Sequence, residues 1–330
     1  MAVSIADIQK LRKMTGAGLS DCKKALTETE GNFDKAVEII REKGQAIAAK
    51  RSDRETSNGC VLVKYADNFG AIVALKCETD FVANGADYIK LTQDILDAAV
   101  AAKAKSLDEV KELTLADGTK VLDAVVARSG ITGEKMELDG YNFIEGENIS
   151  TYDHMGKHTL CTMVQTNKAA EEQAHAIAMQ VAAMKPMFLD EASVSQEFIE
   201  EEKKVAAEKT KQELVQKAVD AALKKAGINP AHVDSEDHME SNMGKGWITA
   251  EDVAKAKEII ATVSAEKAAN LPEQMIQNIA KGRLNKFFKE SCLLNQEFIQ
   301  DSKLSVADYL KAADKELTVV DFKRFTLAAE

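Results

Sequence analysis

Three short stretches at the start of the chain carry apolar residues at helical spacing. These residues are Ile5, Ile8 and Leu11, then Leu19, Cys22, Ala25 and Leu26, and then Phe33, Val37 and Ile40. Ser4 with Asp7 forms a capping-box pattern before the first stretch, and Asn32 is the expected N-cap of the third. The glycines that interrupt the pattern are Gly16, Gly18, Gly31 and Gly44. We therefore predict a three-helix bundle of about 45 residues, followed by the polar linker KRSDRETSNG.

The apolar period changes from about 3.6 to about 2 after the linker. Two apolar strands surround a turn signal at 67–70 in GCVLVKYADNFGAIVALKCET, and an amphipathic helix follows in YIKLTQDILDAAVAAKAK. A second copy of this order begins near residue 149, with strand, turn and strand in ISTYDHMGKHTLCTMVQT and a helix in EEQAHAIAMQVAAM. The repetition predicts a duplicated α+β unit.

Residues 193–290 are dominated by Ala, Glu, Lys and Gln, which favours long helices. The expected boundaries are a helix end at Leu223 to Gly227, a capping box at Thr249 and Asp252, and a first turn at Pro272. We predict an antiparallel helical hairpin with an acidic loop, NPAHVDSEDHMESNMGKGW, between its arms. The alternating tail ELTVVDFKRFTLA is expected to return as a strand to the second sheet.

Length and composition limit the class of protein. A chain of 330 residues with 45% hydrophobic and 29% charged residues can form two or three domains with buried cores. It has neither an apolar run of about 20 residues nor a signal-peptide pattern, so we expect a cytoplasmic protein without membrane contact.

Residues 1–54 carry 11 Lys and Arg against 8 Asp and Glu, but the net charge of −11 argues against direct nucleic-acid contact for most of the chain. Five scattered cysteines without a C-x-x-C pair are expected to be reduced core residues.

The chain offers few candidates for catalysis or cofactor binding. The stretch TGAGLSD lacks the third glycine of a dinucleotide fingerprint, and no phosphate-binding G-x-x-x-x-G-K-[ST] loop is present. His154 and His158 are four residues apart, but Gly156 between them indicates a hairpin turn rather than a helical zinc site. The acidic residues at 234–238 lack the pattern of a calcium-binding loop. We therefore expect no catalytic residues, no cofactor and no bound metal.

Two stretches of the chain are LRKMTGAGLSDCKKALTETEGNFDKAVEIIREKG at 11–44 and CETDFVA at 77–83. Together they resemble the elongation factor Ts family, the guanine-nucleotide exchange factors that act on elongation factor Tu in bacterial translation. The resemblance continues through HAIAMQVAAMKPMFL at 175–189 and IAKGRLNKFF at 279–288. It leaves an apparent insertion at about 205–270.

The resemblance implies an α+β fold in three parts. These are an N-terminal three-helix UBA-like domain, a core of two related hairpin-plus-helix subdomains, and a protruding antiparallel helical hairpin. The expected divisions are 1–54 for the UBA-like domain and linker, 55–140 for the first core subdomain, 141–192 for the first part of the second, 193–290 for the hairpin with its insertion, and 291–330 for the return to the second subdomain.

The resemblance also implies a function for the motif at 77–83. The chain is expected to bind elongation factor Tu, carrying GDP or free of nucleotide, to displace its Mg²⁺ and to promote GDP release so that GTP can bind. The residues expected to act on the Mg²⁺ site are Thr79, Asp80, Phe81 and Val82, with Phe81 wedged between partner helices. The other expected partner contacts are Arg12, Leu19, Ser20 and Gln180, although the family often has methionines in place of Leu19 and Ser20 and commonly a histidine in place of Gln180. A homodimer through the helical hairpin is a further expectation.

Other interpretations stay open on the sequence alone. Phe81 could be a core residue at a strand end, with Asp80 as the N-cap of the following helix. An interaction adaptor would use the head and the hairpin for docking and would leave the residence time of GDP unchanged. A hydrolase built on His154 and His158 would show metal-dependent turnover that is lost when either histidine is replaced.

Overall fold

The computed structural model describes residues 3–328. The chain forms two compact units, of which the first contains Met1–Leu189 with Gln296–Glu330 and the second contains Asp190–Asn295. Both helices and antiparallel sheets are present, so the predicted α+β class is confirmed. Within the described residues, no helix combines the length and the apolar character that crossing a membrane requires.

The first unit begins with the three predicted helices, α1 (Ile5–Thr15), α2 (Leu19–Glu28) and α3 (Phe33–Lys50). Ser4 caps α1 by accepting a hydrogen bond from the backbone N–H of Asp7 at 3.1 Å. Gly16 ends α1 in the left-handed region at φ 69°, which a residue with a side chain rarely adopts. The buried core of the three helices consists of Leu11, Ala17, Cys22, Ala25, Leu26 and Ala36.

The first sheet follows the linker. Its elements are β1 (Asn58–Ala66), β2 (Phe69–Cys77), α4 (Asp80–Ala83), α5 (Ala86–Ala102), α6 (Leu107–Glu112), α7 (Val121–Thr132) and β3 (Met136–Glu145). β1 and β2 form the predicted hairpin, and β3 pairs antiparallel with the other edge of β2. The expected boundary between residues 140 and 141 therefore falls inside β3. The sequence did not indicate this strand, because its residues pair with residues that lie 59 to 76 positions earlier in the chain.

The second sheet repeats the hairpin and helix as predicted. Its first elements are β4 (Ile149–Asp153), β5 (Leu160–Thr166) and α8 (Glu171–Met184). Gly156 lies in the connection between the two strands at φ 63°, which confirms the turn expected there. The two sheets pack face to face within the first unit, and α8 covers the outer face of the second sheet.

The second unit contains four α-helices, α9 (Gln196–Lys225), α10 (Glu236–Gly244), α11 (Ala250–Ala269) and α12 (Glu273–Ser291). α11 and α12 both pack along α9, and the capping box of Thr249 with Asp252 is present at the start of α11. The segment expected as an acidic loop contains α10, which Ser235 caps. Met239 of α10 is buried in the cluster at this end of the unit, and this burial stabilises a helix that the polar local sequence does not indicate.

The chain then completes the second sheet. The remaining elements are β6 (Glu297–Phe298), β7 (Asp301–Ser305), α13 (Val306–Ala313) and β8 (Val319–Thr326). β8 pairs antiparallel with β5 to give the order β4-β5-β8, so the strand expected in the tail is confirmed.

Gly44 lies inside α3, whereas Gly16 ends α1 and Gly18 is the N-cap of α2. A Cβ atom on Gly130 of α7 would lie 2.5 Å from the Cα atom of Gly44, so α3 and α7 can pack this closely only without side chains there. Arg41 of α3 adds two hydrogen bonds to the carboxylate of Asp123 in α7, at 2.8 and 2.9 Å. The third helix of the head is therefore packed directly on the core.

Replacing Gly130 tests this close approach. We expect Gly130→Ala to lower the free energy of unfolding by about 1–3 kcal/mol, because the added methyl group forces α3 and α7 apart. The measurement is calorimetric unfolding. Gly282→Ala in α12 is the control, since its Cβ atom meets nothing within 4 Å, and a gain of about 0.5–1 kcal/mol is expected. An unchanged melting temperature for Gly130→Ala would contradict the contact.

Candidate functional site

Residues 79–84, called the tip, connect the end of β2 to α5 and contain the four-residue helix α4. Thr79 is the N-cap of α4, and its Oγ1 accepts a hydrogen bond from the backbone N–H of Val82 at 3.3 Å. Asp80 is thus the first helical residue, and the interpretation of Asp80 as the N-cap is wrong. Asn84 closes the turn by donating its backbone and side-chain N–H groups to the carbonyl of Asp80, each at 2.9 Å.

α4 divides its side chains between the core and the surface. Ala83 is buried and Val82 packs against the core cluster of the first sheet. Phe81 is 86% exposed, so the interpretation of Phe81 as a core residue is wrong. Asp80 is exposed beside it and lines a shallow groove of about 270 Å³ together with Asn84, Lys157 and His158. The tip therefore presents an aromatic ring and a carboxylate at the end of a buried strand.

Glu134 holds Thr79 from outside the tip. Its Oε1 accepts a hydrogen bond from Thr79 Oγ1 at 2.6 Å, and its Oε2 accepts one from the Thr79 backbone N–H at 3.1 Å. Cys77 at the end of β2 adds a contact from Sγ to the Thr79 carbonyl at 3.2 Å. Thr79, the N-cap of α4, is therefore bound through its side chain, its N–H and its carbonyl.

Glu78, the residue before the tip, joins the linker to the first sheet. Its carboxylate accepts hydrogen bonds from the Lys135 backbone N–H at 2.7 Å, from Arg54 at 2.8 Å and from Arg51 at 3.4 Å. The Lys135 N–H contributes most to a lowered pKa of the Glu78 carboxyl, and Arg54 and Arg51 act in the same direction. Glu78 therefore stays ionised at neutral pH and fixes the base of the tip.

The head presents its expected contact residues to solvent. Arg12 lies on α1, and Leu19 and Ser20 lie in the first turn of α2, all three on the exposed surface. Leu19 is 48% exposed, and Met14 in the last turn of α1 is 57% exposed. Exposed apolar side chains thus lie on both sides of the turn between α1 and α2.

Gln180 is fully buried in α8, which differs from the expected partner contact. Its amide donates to Gln296 Oε1 at 3.1 Å and to the Glu297 carbonyl at 3.0 Å, and its Oε1 accepts from the Ile299 N–H at 2.8 Å. Both ends of the amide are therefore occupied by the β6–β7 hairpin. Gln180 is neutral and can both donate and accept, so it can satisfy this buried backbone without burying a charge.

The remaining candidates for chemistry have structural partners. Nδ1 of His158 contacts Asp153 Oδ2 at 2.5 Å, and Nδ1 of His154 contacts the Tyr152 hydroxyl at 3.1 Å. Over residues 3–328, no group of three or more His, Cys, Asp and Glu side chains could hold a metal ion. All five cysteines are buried free thiols, as expected, and burial raises the pKa of Cys60 to about 12. That thiol is protonated at neutral pH and is a poor nucleophile.

Comparison with known proteins identifies the family. A family model described as Elongation factor TS matches residues 78–226 and 215–329. The chain belongs to the elongation factor Ts family. It is 71% identical over 331 residues to Elongation factor Ts of Bacteroides fragilis and 69% identical over 331 residues to that of Bacteroides thetaiotaomicron. It is 44% identical over 331 residues to Elongation factor Ts of Porphyromonas gingivalis, and each of the three alignments covers 100% of both chains.

These matches confirm the family that the sequence motifs indicated, and they also include the long helical segment. The stretch at about 205–270, expected as an insertion, lies within full-length alignments to elongation factors Ts. These relatives therefore carry a segment of matching length, and the long hairpin is not peculiar to this chain.

The family motif pointed to the tip but not to the residues that hold it. Glu78 stands inside the motif, yet its ion pairs with the linker appear only in the fold. Glu134 lies 55 residues from Thr79, and no local pattern connects the two. Met14 was missed because a single apolar residue in a helical turn is as compatible with a core position as with an exposed one.

Replacing Gln180 tests its internal role. We expect Gln180→Ala to lower the free energy of unfolding by about 1–3 kcal/mol, because the buried side chain of Gln296 loses its donor and the Ile299 N–H loses its acceptor. Thermal unfolding by calorimetry measures this loss. The control is Gln45→Ala, which removes an exposed glutamine of α3 and should change stability little. Equal melting temperatures for the two variants would show that the Gln180 hydrogen bonds do not hold the hairpin.

Proposed function

We propose that the chain is a guanine-nucleotide exchange factor of translation elongation. It binds elongation factor Tu carrying GDP, displaces the Mg²⁺ of that protein and promotes GDP release so that GTP can bind. One observation carries the proposal: in a chain of the elongation factor Ts family, the tip presents Phe81 with 86% of its surface exposed at the end of a buried strand. A large exposed aromatic ring on a rigid support favours contact with a partner.

Exchange of this kind requires binding energy and no covalent chemistry. The factor has to bind the nucleotide-free state of its partner more tightly than the GDP-bound state. Thermodynamic linkage makes this effect reciprocal. The factor lowers the affinity of the partner for nucleotide, and nucleotide lowers the affinity of the partner for the factor by the same ratio. The chain is proposed to act without a cofactor or metal of its own and not as an enzyme.

The tip residues are proposed to divide this task by their positions. Phe81 inserts between partner helices, and Asp80 perturbs the polar groups around the partner's Mg²⁺. Thr79 and Val82 support them, since Thr79 caps α4 and the side chain of Val82 packs against the core. The outward face of this helical turn is thus proposed to contact the partner, and the inward face is proposed to support it.

The head supplies a second proposed contact surface. Arg12, Leu19 and Ser20 are exposed on α1 and α2, and Met14 extends their apolar part. Gln180 is proposed to contribute indirectly, because it holds the β6–β7 hairpin whose Ile299 is 42% exposed.

Other partners and the cellular location follow from the same proposal. A translation factor that acts on elongation factor Tu works in the cytoplasm, and neither nucleic acid nor membrane is a proposed partner. A second copy of the chain is a proposed partner of the helical hairpin. This proposal is supported by exposed apolar side chains on two of the helices, Val205 on α9 and Met275 and Ile279 on α12.

The release of a fluorescent GDP from elongation factor Tu tests the proposed function. We expect the chain to accelerate release in a concentration-dependent manner, with excess unlabelled nucleotide present to prevent rebinding. The matched control is elongation factor Tu alone under the same conditions. No acceleration at saturating protein would contradict the proposal and would favour an adaptor role.

Truncating Phe81 tests the role of the tip. We expect Phe81→Ala to slow the stimulated release on the order of tenfold or more and to leave the melting temperature unchanged, because the lost contacts are with the partner. Met187→Ala is the control, since it shortens another exposed apolar side chain of the same unit. A sharp fall in melting temperature, with normal exchange per folded molecule, would instead mean that Phe81 supports the fold and does not contact the partner.

A further inference from the structure

We infer that Glu134 is a positioning residue for nucleotide exchange. Its carboxylate holds Thr79, and Thr79 in turn sets the orientation of Phe81. The inference rests on the proposed function and extends it to a residue outside the tip. Glu134 follows α7 and is separated from Thr79 by 55 residues. Its carboxylate is thus brought to the tip only by the fold.

The hydrogen bonds around Thr79 form a short chain from Glu134 to α4. The Thr79 hydroxyl donates to Glu134 Oε1 at 2.6 Å, and the same oxygen accepts from the Val82 N–H at 3.3 Å. A threonine hydroxyl has one proton and two lone pairs, so donation to Glu134 directs a lone pair towards Val82. The second bond, from the Thr79 N–H to Glu134 Oε2 at 3.1 Å, prevents the backbone of the cap residue from turning. Glu134 therefore orients the cap itself.

The orientation of α4 depends on its cap because the helix is so short. Four residues form a single turn, which is unstable by itself in water. Within the turn, Ala83 is buried and Val82 packs against the core, while Phe81 contributes almost no packing. The direction in which the Phe81 ring points is consequently set by this packing and by the hydrogen bonds at the ends of the turn, at Thr79 and Asn84.

The backbone of Glu134 is itself held in place by hydrogen bonds. Its carbonyl accepts a hydrogen bond from Ser129 Oγ at 2.5 Å, and its N–H donates to Thr132 Oγ1 at 3.3 Å. Gly133 ends α7 in the left-handed region at φ 72° and turns the chain towards the tip. The backbone of Glu134 is thus tied to the end of α7, and α7 is packed against α3.

A double-mutant cycle separates positioning from direct contact with the partner. The variants are Glu134→Ala, Phe81→Ala and the two combined, with Glu112→Ala as the control for an exposed glutamate on α6. Fluorescent GDP release from elongation factor Tu is measured over a range of factor concentrations, and the melting temperature of each variant is recorded. Glu134→Gln and Thr79→Ser complete the set, because Gln keeps one accepting oxygen and Ser keeps the hydroxyl.

We expect Glu134→Ala to lower the maximal rate of stimulated release about three- to tenfold, with a smaller change in the half-saturating concentration. The melting temperature should stay near that of the wild type, since the hydrogen bonds between Glu134 and Thr79 lie at the surface. Glu134→Gln should fall between Ala and the wild type, and Thr79→Ser should retain nearly full activity. The combined variant should be no slower than Phe81→Ala, because Glu134 acts through that ring.

Two results would overturn the inference. Additive losses in the combined variant would mean that Glu134 contacts the partner itself. Wild-type exchange by both Glu134→Ala and Glu134→Gln would mean that the cap of α4 does not need the Glu134 carboxylate. If the Ala variant fails to fold, Glu134→Gln alone tests whether the cap depends on that carboxylate. Stimulated release by the wild-type protein distinguishes either result from failure of the proposed function, which would remove the basis of the inference as well.

Discussion

Strand β2 has to bury two apolar faces at once, and the rest of the first unit is arranged around this requirement. Its residues Phe69, Val73 and Leu75 pack against the helices on one side, while Ile72 and Ala74 pack against the second sheet. A strand in the middle of a sheet, covered on both faces, has little freedom to shift, because a slip of one residue would exchange the two faces. The end of β2 is therefore a fixed point in the molecule.

The position of the tip is set by the end of β2. Cys77 is still buried, Glu78 is tied to the linker and to Lys135, and Thr79 is tied to Glu134. Four residues after the last buried position of the strand, the Phe81 ring is in solvent. An exchange factor that works by distorting a partner needs such a support, because a flexible ring would yield before the partner did.

Polar side chains are used in this chain mainly to hold exposed parts in place. Gln180 connects α8 to the β6–β7 hairpin, Glu78 connects the linker to the tip, and Glu134 connects the end of α7 to the cap of α4. The close contact of Gly44 with Gly130 joins the head to the same framework. Both surfaces proposed to contact elongation factor Tu, the head and the tip, are thus connected through α7.

Local sequence determined the elements that depend on local patterns. The helices of the head, the two hairpins with their helices, the capping box at Thr249 and the returning strand β8 all follow from apolar period and from capping or turn residues. The motif at 77–83 together with the stretch at 11–44 indicated the family, and the family model that matches residues 78–226 and 215–329 confirms it.

Tertiary structure decided what depends on distant partners. β3 forms because β2 offers a free edge, and α10 forms because Met239 finds a buried cluster. Gln180 faces inward because three backbone and side-chain groups of the β6–β7 hairpin meet it there. Glu134 reaches Thr79 only after α7 and β3 are in place, and no periodicity along the chain encodes a contact between residues 55 positions apart.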